Sequence, residues 1–145
     1  MLQPKKIEIS NQPSIELHIK QWLKYRQAVL VHYSQLSAIN LIKPKTLDLF
    51  CQQLMDYLSF GHFKMFEKLA AYQQGISNKA EVGLDNDLMN NIALTTDAAL
   101  DFNEKYTNPK TLNDLSQDLS NLGENLAHRM DWEDKLIRQY SKFYH

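Results

Sequence analysis

The sequence has few of the residues that punctuate or staple a chain: among 145 residues there are one cysteine, four glycines and four prolines. A lone cysteine, Cys51, excludes a disulfide framework and a cysteine-based zinc cluster. It fits a reducing compartment. Long apolar runs are missing too. The longest aliphatic stretch, Ala28-Val29-Leu30-Val31, is far short of the roughly 20 residues that span a bilayer. The start, Met1 to Ser10, carries Lys5 and Lys6 but no apolar stretch to serve as a secretory signal. A soluble, cytoplasmic protein that does not engage a membrane is the expectation. Charge of one sign is not in excess either. The net charge of −1 argues against direct nucleic-acid binding through a broad basic face.

The charge is uneven along the chain. Residues 1–72 carry nine Lys/Arg and five Asp/Glu, whereas residues 73–145 carry seven and twelve. Between Ala80 and Glu124, nine acids face only Lys105 and Lys110. An acidic face of this kind can steer a basic partner, although ordinary solvated helix surfaces share the composition.

What the sequence does contain is helical periodicity. The length suits one domain, expected over 1–145 with residues 1–12 as a loosely ordered arm. Pro13, Pro44 and Pro109 each precede a long periodic segment, as prolines of a first helical turn do. Gly75 stands where a helix would stop. From about Ser14 to Ser37, the apolar stripe runs Ile15, Ile19, Trp22, Leu23, Val29, Leu30, Tyr33 and Leu36. A second, from about Lys45 to Gln73, runs Leu47, Cys51, Leu54, Leu58, Gly61, Met65, Leu69 and Tyr72. The third, about Leu84 to Tyr106, is weaker: Leu84, Leu88, Ile92, Thr95, Ala99, Phe102 and Tyr106. A fourth, about Lys110 to Tyr140, includes Leu112, Leu115, Leu119, Leu122, Leu126, Arg129, Glu133, Leu136 and Tyr140. Four amphipathic segments joined by short loops predict an all-α fold, an antiparallel up-down-up-down bundle of four long helices.

Two departures from the pattern stand out. On a wheel of the second segment centred on Leu47 and Met65, Asp56 lies about 180° from the core, with Phe63, Glu67 and Phe60 nearby. Aromatic rings grouped with acids on a polar face suggest a contact surface, unless another element covers them. On the fourth segment, Arg129 and Glu133 hold stripe positions four apart and can pair along one face. Either they form a buried, paired polar layer, or the stripe rotates after Leu126 onto Met130 and Ile137 and leaves them near the surface. Glu124, His128 and Asp134 lie close by in sequence.

No catalytic set is assembled. Di-iron bundles use Glu-x-x-His from two helices, whereas Glu124 and His128 stand four apart without a second pair, so neither metal nor cofactor is expected. A histidine phosphotransfer bundle using His62 is the enzymatic rival, because Lys64 follows it closely. His62 falls at the core boundary, about 60° from its centre. A bundle that self-associates through Phe60 and Phe63 is a third reading.

The stretch Phe50-Cys51-Gln52-Gln53-Leu54-Met55-Asp56-Tyr57-Leu58-Ser59-Phe60-Gly61-His62-Phe63, with Glu67, resembles the signature of the Rsd/AlgQ family of anti-sigma regulators. Trp22-Leu23 with Arg26 resembles the family's first helix. Gly123-Glu124, Leu126, Arg129 and Glu133-Asp134-Lys135-Leu136-Ile137 are similar to its C-terminal signature. Residues 74–109 carry no such motif. The resemblance implies a non-enzymatic helical bundle whose partner is the primary sigma factor of RNA polymerase, chiefly its domain that reads the −35 promoter element. Holding that domain would keep sigma from core polymerase and promoter DNA, as a monomer or weak homodimer. It implies partner contacts at Asp56 and Phe63, and with the wheel suggests the set Asp56, Ser59, Phe60, Phe63 and Glu67. Arg26, His62, Glu124, Arg129 and Glu133 are expected to be structural polar residues.

Overall fold

A computed structural model describes the chain over residues 3–38, 41–69 and 79–144, with side-chain surroundings over 15–38, 41–69 and 87–140. The first helix, α1 (Gln3–Ala38), begins well before the expected Ser14. The arm expected over 1–12 is therefore helical from Gln3. Pro13 lies inside α1 and not at its start. Pro4 occupies the first turn, where a missing N–H leaves no bond unmade.

The second helix, α2 (Pro44–Phe60), starts where its proline predicts. The Lys43 carbonyl accepts the backbone N–H groups of Thr46 and Leu47, both at 3.1 Å. After Phe60 the helix under-winds into a π segment, Gly61–Phe66. Its wider turn buries Gly61 and the adjacent Met65 and Phe66, and leaves His62, Phe63 and Lys64 outside. Gly61 lets the two rings pack close here: a Cβ would sit 3.2 Å from the Phe66 ring and 3.3 Å from the Trp22 indole nitrogen, so those rings would have to give by a few tenths of an ångström. The segment continues as helix to Leu69, and the expected end near Gln73 and Gly75 lies outside the described residues.

The third helix, α3 (Lys79–Thr107), and the fourth, α4 (Leu115–Tyr144), complete the fold. Pro109 does not open α4, which begins six residues later. The Thr111 hydroxyl accepts the Asn113 N–H at 2.9 Å. Such side-chain turns compete with helix formation. Leu112, a stripe member on paper, is left outside α4 and 39% exposed.

Side-chain contacts between α1 and α2, and between α3 and α4, run in opposite senses. His18 and Tyr25 of α1 meet Phe60, while Tyr33 meets Phe50. Phe50 packs on Phe102, and Asn103 donates to the Cys51 carbonyl at 2.8 Å. Asn125 of α4 donates to the Thr95 carbonyl, and Tyr106 to Asp118. Back on α1, the Tyr33 hydroxyl donates to the Leu119 carbonyl at 2.7 Å. It lies so close to Gly123 that any Cβ there would overlap it. The core follows the stripes, with Trp22, Val29, Leu36, Leu54, Ile92, Ala99, Leu122 and Leu126 all buried. Besides Leu112, the exposed stripe members among the described residues are Leu23 and Leu30, at 36% and 38%. They sit about 100° round the helix from Trp22 and Val29, past the edge of the packed face.

Candidate partner-binding site

Two sets of polar and aromatic residues are candidates for function, one enclosed and one open. The enclosed set centres on α4. Arg129 and Glu133 both have no exposed side-chain surface, and Arg129 Nε lies 3.1 Å from Glu133 Oε2. The same Nε donates to the Tyr57 hydroxyl at 3.1 Å, and that hydroxyl donates to Glu133 Oε2 at 2.5 Å. Nη1 of Arg129 reaches α3, donating to Thr96 Oγ1 at 2.6 Å and Thr95 Oγ1 at 3.1 Å. The guanidinium carbon sits 5.2 Å from the Tyr57 ring centroid and 5.6 Å from that of Phe66. Arg26 of α1 adds a second cation, 3.4 Å from Glu133 and 2.8 Å from Asp134.

Burial pushes the Glu133 carboxyl above its ordinary value, against the pull of Arg129, the Tyr57 bond and Arg26. Burial, together with Glu133, holds the Tyr57 hydroxyl well above its usual range, so it stays protonated as a donor. For Arg26, burial opposes the charge, but the bonds to Asp134 and Glu133 outweigh it and strengthen its hold on the proton. The set joins all four helices, with Arg129 and Glu133 sealed from solvent and Arg26 and Asp134 partly open at its α1 edge. It can fix helix register.

The open set lies on α2 and the π segment. Asp56, Phe63 and Glu67 are exposed, and Ser59 is half-buried. Phe63 is 72% exposed. It is the one Phe, Tyr or Trp among the described residues that the fold leaves in solvent. Its ring meets that of His62 edge-on at 4.7 Å.

Three expected placements need correction. Phe60 is not on the wet side: it is half-buried, with its ring 5.2 Å from Tyr25 and 6.1 Å from His18. The wheel treats α2 alone, and α1 covers this flank. His62 is exposed and not a boundary residue, because the π turn rotates it outward. Glu124 is exposed and stands apart from the Arg129 network. It points from α4 at a phase far from Arg129 and Glu133. Tyr57 and Thr96 belong to the network without having been expected there. A tyrosine at the edge of a stripe, opposite a buried Arg and Glu, is the signal that could have found the first. Thr96 has no such signal, since its role comes from α3 packing on α4.

Among the described residues no group of three or more His, Cys, Asp or Glu is placed to hold a metal, and no helix is long and apolar enough to cross a membrane. The family described as "Regulator of RNA polymerase sigma(70) subunit, Rsd/AlgQ" matches this sequence over residues 1–141. The match includes 74–109, where no motif carried the resemblance. Similar proteins named "Regulator of sigma D" come from several bacteria. That of Pectobacterium carotovorum is 32% identical over 131 residues, covering 83% of this chain and 85% of its own length. That of Yersinia pseudotuberculosis is 33% identical over 131 residues, covering 83% and 77%. That of Sodalis glossinidius is 35% identical over 128 residues, covering 83% and 86%.

Proposed function

The chain belongs to the Rsd/AlgQ family of regulators of the RNA polymerase sigma(70) subunit, and from that premise we propose that it is an anti-sigma regulator gripping the primary sigma factor through the outer face of α2. The observation that carries the location is Phe63, 72% exposed on a face that also presents Asp56 and Glu67. An exposed ring is a natural anchor, because aromatic side chains at the centre of an interface carry much of its energy. The acids supply approach, since a domain that reads DNA is basic.

The part of sigma held is its −35-reading domain. A bundle seated there keeps sigma from both core polymerase and promoter DNA, and the place of action is the cytoplasm. Regulation of this kind works by occupancy and is non-enzymatic. The sealed Arg129 network serves it indirectly, by holding α2 against α3 and α4.

Titrating the purified chain into the primary sigma factor tests the proposal. Phe63→Ala is expected to cost about 2 kcal/mol, roughly a thirtyfold loss of affinity. Asp56→Ala is expected to slow association and weaken its dependence on salt. Wild-type binding by both variants, with helicity intact, would remove α2 from the interface.

A further inference from the structure

Between the π segment and α3 lies a groove of about 650 Å³ that the expected contact residues do not account for. Its walls are Leu58 and Phe66 on one side and Met89, Ile92, Ala93 and Leu100 on the other. Glu67 and Asp97 stand among the residues lining it, and none of those residues is Lys or Arg. We propose that this groove is a docking slot for an amphipathic helix of the sigma(70) subunit, one that inserts an apolar side chain and flanks it with basic residues. The inference rests on the reading above and adds a second point of attachment to it.

Three observations select that occupant. The first is continuity: His62 lines the groove and touches the Phe63 ring at 4.7 Å, so the slot opens beside the exposed anchor. The second is charge. Neither Glu67 nor Asp97 is in an ion pair among the described residues. Acids lining a slot with no Lys or Arg in its walls favour a basic segment and disfavour an acidic one. The third is preorganisation. Thr96, which also lines the groove, and Phe66 are held from behind by Arg129, which bonds Thr96 at 2.6 Å and lies over the Phe66 ring. A slot that is already open spares part of the ordering cost of binding. A helix laid into such a slot is recognised through anchors three or four residues apart. A methionine wall, from Met89, adapts to the shape of the anchor.

The full chain and the purified sigma(70) subunit test this directly. Ala93→Trp fills the slot without touching Asp56 or Phe63, and is expected to weaken binding at least tenfold. Asp97→Lys reverses one charge at an exposed position, and is expected to weaken binding several-fold and flatten its salt dependence. Because Asp97 packs in no core, this variant decides the matter if Ala93→Trp unfolds. Anilinonaphthalene sulfonate, an apolar dye, is expected to bind the slot, to be lost in Ala93→Trp and to be displaced by sigma. Normal sigma binding by the folded variants, with Phe63→Ala still weakened, overturns the slot and leaves the α2 face standing. A wild-type chain that does not bind sigma overturns both. Dye that stays in place when sigma binds assigns the groove to a small amphiphile and also overturns the inference.

Discussion

The inner side of α4 and the outer side of α2 each put charges beside aromatic rings. Inside, Arg129 and Glu133 are fully enclosed, and the hydroxyls of Tyr57, Thr95 and Thr96 bond to them, leaving Arg129 Nη2 as the one nitrogen of that guanidinium without a hydrogen bond among the described residues. Outside, Asp56 and Glu67 are in water and Phe63 is 72% exposed. In a low-dielectric interior, a charge must be paired or it destabilises the fold. On the surface the same charge costs little and contributes little to stability. The inner set is thereby committed to the fold, while the outer set is left free for a partner.

Removing one inner partner is expected to have the largest effect. Arg129→Met strands Glu133 beside Tyr57, with only Arg26 at 3.4 Å to compensate. A loss of about 3–5 kcal/mol is expected, seen in circular dichroism as a melting point about 10 °C lower or more. The paired change Arg129→Met/Glu133→Leu is expected to recover much of that loss, because no charge is then left unpaired. If the double variant is no better than the single, the network contributes more than a paired charge.

Phe63→Ala probes the other side. Its melting point is expected to stay within about 2 °C of the wild type, in keeping with a surface substitution, while sigma affinity falls. A melting loss as large as that of Arg129→Met would make Phe63 a fold residue and erase the contrast. Tyr33→Phe is expected to cost about 1 kcal/mol through the lost bond to the Leu119 carbonyl, measurable by urea denaturation. It lies in neither set, so affinity for sigma is expected not to change.

The smallest effect concerns pH at the rim. Bonds from Lys105 and Tyr106 hold the Asp118 carboxyl below its ordinary value of 3.8. The folded form therefore binds that proton less tightly than the unfolded chain. The contribution is in place above 3.8 and is lost as pH falls through the lower folded value. The melting points of wild type and Asp118→Asn are expected to differ slightly at neutral pH and to converge in acid.

Much of this was legible in the sequence, and the failures have physical causes. The α2 stripe from Leu47 to Leu69 is buried throughout, because a hydrophobic stripe of helical period has one way to leave water. The pairing of Arg129 with Glu133 was visible from their spacing; their burial was one of two readings of the α4 stripe, and the packing of α2 and α3 over them decides it. The outward position of Asp56 and Phe63 also followed from the wheel. Phe60 did not, since its cover comes from Tyr25 and His18 on another helix. His62 did not, because a wheel of constant pitch cannot represent an under-wound turn. The start of α4 was hidden by Leu112, which keeps the period but falls in a side-chain turn. Thr96 could be placed only by tertiary packing.

The under-wound turn at Gly61–Phe66 also bears on insertion and deletion. A π turn holds one residue more than an α turn of the same height. Deleting one residue there need not shorten the helix. It would let the turn close to ordinary pitch while the residues after it keep their angular positions, with Leu69 still inside and Glu67 and Lys68 still outside. The extra residue is taken up locally in the turn, and a relative one residue shorter in it, with an ordinary α turn there, would present the same downstream face to its partner.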